Sequence, residues 1–89
     1  MKLQTALRAF LAARFPCAFD EAILRTRIAR SGALDSEPSP EGVRDALSTL
    51  SSRYRHAECL VDPDGNAAWS ATPAGVAAWH EQGSPNVGG

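Results

Sequence analysis

His56-x-x-Cys59, together with Cys17 and His80, supplies four side chains of the kind that bind zinc. Zinc sites draw on close pairs of cysteines held in loops, and the chain has no such pair. On a strand, residues three apart point to opposite faces, so His56 and Cys59 would not close on one ion. No metal and no cofactor is expected. The residues do not set out a reaction either. There is no glycine-rich phosphate loop, no nucleophile elbow and no carboxylate pair at a useful spacing, and each His stands apart from a Ser or Cys partner. The chain is not read as an enzyme. Charge offers more. Arg53, Arg55 and His56 form the densest cationic group of the C-terminal half and could hold phosphates. An Arg at a helix C-terminus is also favourable on its own account, through the macrodipole. Arg25, Arg27 and Arg30 either extend a basic surface or form a solvated helix face.

The elements that must position these groups fit in one domain. Eighty-nine residues, 44% hydrophobic and 21% charged, suffice for a single core without disulfide or metal staples. That domain is expected over 1–82, with a Gly- and Pro-rich tail over 83–89. The net charge of −1 is unevenly spread, at +4 over 1–30, −2 over 31–60 and −3 over 61–89. A nucleic-acid binder usually gathers positive charge on one face, and here the gathering is weak. Apolar stretches are short and broken by Arg, which argues against a membrane span or a signal peptide and for a cytoplasmic protein. Cys17 and Cys59 are too few for a secreted disulfide framework and are expected as small buried hydrophobes.

Leu3, Ala6, Leu7, Phe10 and Leu11 recur at helical spacing, with Gln4, Thr5, Arg8 and Ala12 facing away, and Pro16 closes this first helix. Phe15–Phe19 is a short extended connector, long enough for a small strand. Asp20 caps a second helix with Ile23, Leu24 and Ile28 inward, and Phe19 with Leu24 fits a hydrophobic staple. Gly32 stops it. After a turn-rich loop, Ser39-Pro40 opens a third helix whose stripe is Val43, Ala46, Leu47, Leu50 and Tyr54, running to about Arg53. Asp62-Pro63-Asp64-Gly65 is the strongest turn signal and joins two short strands, with Ala67, Trp69 and Ala71 on one side. Thr72-Pro73 opens a last helix, of which Val76 and Trp79 face inward.

The order helix, connector, helix, loop, helix, ribbon, helix over residues 2–82 resembles the winged helix-turn-helix superfamily. Ala71-Thr-Pro-Ala-Gly-Val-Ala-Ala-Trp79 is similar to the Thr-x-x-Gly stretch that follows the wing in many small bacterial and phage-type regulators. The resemblance implies an α+β fold: a three-helix core, a two- to three-stranded antiparallel ribbon and a C-terminal helix. It also implies a DNA-binding transcriptional regulator that reads the major groove of double-stranded DNA with its third helix. Carried over by position, Glu41, Arg44, Asp45, Ser48, Thr49, Ser51 and Ser52 face the groove, and Arg53, Arg55 and His56 follow them toward the backbone. The wing is Asp62, Pro63, Asp64, Gly65 and Asn66. Two departures stand out. The link between the second and third helices is about twice a compact turn, and the wing tip carries two carboxylates and no cation. The alternative is a winged-helix module that binds protein through the acidic wing and the C-terminal helix. Trp79 and Val76 would then be the contact, for a partner protein or a second copy of the chain.

Overall fold

The computed structural model describes residues 2–81. The tail expected over 83–89 lies outside them. The chain is α+β, with helices α1 (Leu3–Ala13), α2 (Glu21–Ser31) and α3 (Pro40–Ser52), a hairpin of β1 (Ala57–Val61) and β2 (Ala67–Ala71), and helix α4 (Pro73–Glu81). No helix among the described residues is long and apolar enough to cross a membrane.

Local signals set the helix starts. The Asp20 carboxylate accepts from the Ile23 amide at 2.7 Å, and Ser39 Oγ accepts from the Gly42 amide at 3.0 Å. Each satisfies one of the free donors of a first turn. Gly32 ends α2 in the left-handed region at φ 75°. α3 ends at Ser52, one residue short of the expectation.

α1 is the central helix. It touches α2, α3, α4 and β2, and so it is buried on more than the expected stripe. Ala9 and Ala12 join Ala6, Leu7, Phe10 and Leu11 in the core, so Ala12 does not face away. Small residues on the second side let α4 and β2 come close. Val43, Leu47 and Leu50 meet them from α3, and Leu24 and Ile28 from α2. α2 lies at the edge of the body and buries only those two residues. Ile23, expected inside, is 42% exposed. Tyr54 also leaves the stripe assigned to it, because α3 has already ended, and it is 43% exposed. Cys17 and Cys59 are free and exposed rather than buried. Cys17 sits on the surface connector, and Cys59 on a strand that projects beyond the core.

β1 and β2 pair antiparallel, Ala57 with Ala71 through Val61 with Ala67. The connector contributes a single bridge rather than a strand. Phe19 and Trp69 exchange backbone hydrogen bonds at 2.9 and 2.7 Å, which places Phe19, β2 and β1 side by side in that order. The Phe19 ring meets Phe10 edge to face at 5.4 Å. Ser70 Oγ, buried, donates to the Pro16 carbonyl. The connector is thereby fastened to β2 at two points.

Candidate nucleic-acid interface

The junction between α3 and β1 holds a non-glycine residue in the left-handed region. Arg55 takes φ 55°, a left-handed conformation that costs a residue with a Cβ about 1–2 kcal/mol. Three bonds hold it there, two of them from Thr72. The His56 amide donates to Leu50 O at 2.8 Å, the Thr72 amide donates to His56 O at 3.1 Å, and Thr72 Oγ1 donates to Arg55 O at 2.5 Å. Thr72 Oγ1 also accepts from the Gly75 amide, capping α4. Gly75 lies so close to the His56 carbonyl that a Cβ on it would overlap that group. Thr72 and Gly75 thus each have a structural role. The threonine ties α4 to the end of α3, and the glycine lets the two backbones touch.

This clamp fans Arg53, Tyr54 and Arg55 into solvent. The Tyr54 ring stacks on His56 with centroids 5.6 Å apart, and the Arg53 guanidinium lies 5.6 Å from the Tyr54 ring centre. Arg8 reaches the same place from α1. Burial holds His56 below its ordinary pKa, and the charge of Arg8 lowers it further. The Nδ1 atom of His56 is buried and has no hydrogen-bond partner among the described residues. Arg8 was absent from the sequence-derived set. By spacing alone it falls on the outward side of the first helix, and nothing local in the sequence joins it to His56.

The outer face of α3 is free of other elements along Glu41, Arg44, Asp45, Ser48 and Ser52, all exposed, while Thr49 and Ser51 are half-buried. Ser52 Oγ donates to the Ser48 carbonyl at 2.7 Å. Arg44 is drawn sideways, its Nε 3.2 Å from Glu21 Oε1 at the start of α2. The other oxygen of Glu21 accepts from Trp69 Nε1 at 3.3 Å, so one carboxylate links α2, α3 and β2. Arg25 pairs with Glu37 at 3.9 Å. Val76 and Trp79 are half-buried against the core, with the Trp79 ring 5.0 Å from His80.

The far end of the hairpin has the opposite charge. Asp62 Oδ1 accepts from the amides of Asp64 and Asn66 at 3.0 and 2.9 Å. These bonds, the one from Asn66 foremost, hold its carboxyl below the usual carboxylate range. Gly65 completes the turn at φ 86°. Asp62 therefore builds the turn, while Asp64 and Asn66 are exposed at its tip. Among the described residues no three His, Cys, Asp or Glu side chains gather to hold a metal ion. No known protein family, curated protein or solved structure matches the chain.

Proposed function

We propose that the chain is a winged-helix DNA-binding protein, a small regulator of transcription acting in the cytoplasm, with the outer face of α3 toward the major groove. The carrying observation is the α3–β1 junction, where Arg53, Tyr54 and Arg55 stand exposed on a clamped backbone with Arg8 and His56 behind them. A pre-set cationic group loses little freedom on binding, which favours contact with a regular array of phosphates. The side-by-side order Phe19, β2, β1 and the position of the hairpin after α3 support the winged-helix reading. In it, Arg53 and Arg55 hold phosphates and Ser48 lies over base edges. Arg44 reads a base after leaving Glu21, an exposed pair worth about 1 kcal/mol or less. The acidic tip stays off the duplex.

A random-sequence duplex titrated into labelled protein at low salt tests this. Amide shifts are expected from Arg44 to His56 and are expected to fade as salt rises, because released counterions drive the association. Shifts confined to the hairpin tip, or none at high micromolar duplex, would overturn it. The second reading, a protein-binding module, is favoured by the acidic tip. Val76 and Trp79, the contact that reading calls for, are half-buried against the core and keep only part of their surface for a partner.

A further inference from the structure

A second surface lies on the other side of the hairpin. Ile23, Leu60 and Val61 are among the most exposed large hydrophobics, at 42%, 46% and 65%. They converge on one hollow of about 400 Å³ between the first turn of α2 and the outer half of the hairpin, with Ala67 and Ala68 also lining it. Scattered apolar residues are ordinary on a surface, but a contiguous patch in a groove marks a contact. The backbone adds direction. His56 and Asp62 bond across to Thr72 and Asn66, whereas Trp69 bonds to Phe19. Even-numbered residues of β2 therefore face β1, and odd-numbered ones face the side of Phe19. The chain turns away into α2 after Phe19, which leaves the exposed Ala67 presenting its N–H and C=O to the groove.

Charge selects the occupant. Asp20 and Asp62 line the groove, and no Lys or Arg does. Glu58 and Asp64 add further negative charge to the same hairpin. A second copy would bring the same acidic rim against this one, and like charges facing each other across an interface disfavour the pairing. We infer that the groove docks an extended segment of a partner protein, apolar at its centre and flanked by Lys or Arg, which adds beside Ala67 by backbone pairing. This goes beyond the DNA reading and does not depend on it, since the groove shares no residue with Arg53, Tyr54 or Arg55.

The probes are two blocked peptides, Lys-Val-Leu-Val-Lys and its counterpart with Glu in place of both Lys. The lysine peptide is expected to shift the amides of Ile23, Leu60, Val61 and Ala67 and to bind at least tenfold more tightly than the glutamate peptide. Leu60→Lys and, separately, Ile23→Lys should each weaken it at least tenfold. Both positions are exposed, so the fold should survive, and duplex affinity should stay within twofold of the parent. Equal binding of the two peptides would overturn the inference. So would the absence of shifts at the groove, or self-association through Leu60 seen by sedimentation without peptide binding. Loss of duplex binding alone would count against the DNA reading and leave this one standing.

Discussion

The two ends of the hairpin are built by different means and carry opposite charge. At the His56 end, the backbone is held by a bond to the Leu50 carbonyl, by bonds from Thr72 and by contact with Gly75, and arginines surround it. At the Asp62 end, every bond of the turn comes from within residues 62–66, and the exposed side chains are acidic or neutral. The first end is held by α3 on one side and by Thr72 and Gly75 at the start of α4 on the other. The second is rigid because one carboxylate organises its own neighbours. On the proposed reading, a polyanion would be drawn to the first end and repelled from the second.

The comparison breaks most visibly at the glycines. Gly75→Ala is expected to destabilise the protein by roughly 2–3 kcal/mol, because a methyl group must displace the His56 carbonyl. Gly65→Ala meets nothing within 4 Å and carries only the left-handed penalty, about 1 kcal/mol. Chemical denaturation of the two variants measures both. If Gly65→Ala proved the more costly, the claim that long-range contact governs the His56 end would be wrong. The binding comparison comes next in size. Arg53→Ala with Arg55→Ala should weaken duplex binding at least tenfold and flatten its salt dependence by nearly two in log–log slope. Asp64→Asn at the other end should change affinity less than twofold. A gain of tenfold in Asp64→Asn would mean that the tip does approach phosphate.

The same contrast explains what could be read from the residues alone. Asp20, Ser39 and the Asp62–Gly65 turn act on backbone a few positions away, and their types announce it. The helix order and the hairpin followed from such signals and from the stripe of α1. The reach of Arg8 to His56, the Glu21 bridge between Arg44 and Trp69, and the Thr72 bond to Arg55 all join residues far apart in the chain, and no spacing encodes them. Burial failed for a related reason. Ala12 is inside because α1 has neighbours on several sides, and Ile23 is outside because α2 has few. Which helix is central is a property of the assembly, not of either stripe.

A smaller effect separates strain from charge at one residue. Glycine accepts φ 55° without the penalty that arginine bears, so Arg55→Gly should raise stability by about 0.5–1 kcal/mol. The same change should weaken duplex binding several-fold, whereas Arg55→Ala should weaken it equally and gain no stability. A parent sequence that keeps the strained arginine despite a stabilising alternative is what a functional charge predicts. If Arg55→Gly were more stable and bound duplex as the parent does, Arg55 would have no part in the interface.

The finest distinction is in titration. Both His56 and Asp62 have lowered pKa values, so for each the unfolded chain holds more protons than the folded one between the two values, and stability rises with pH across that window. For Asp62 the window lies below its ordinary 3.8, and the turn loses its support as the carboxyl is protonated there. For His56 the window opens below its ordinary 6.5. Acidification from 6.5 should therefore cost stability first through the half-buried imidazole and only later through the hairpin tip. Proton NMR of the His56 ring reads this directly. Arg8→Gln should raise the midpoint, yet leave it below 6.5, because burial is the larger cause. Adding duplex should raise it as well, since phosphates near Arg53 and Arg55 favour the protonated ring. A midpoint that ignores saturating duplex would place the bound DNA away from this end of the hairpin, even if the affinity were real.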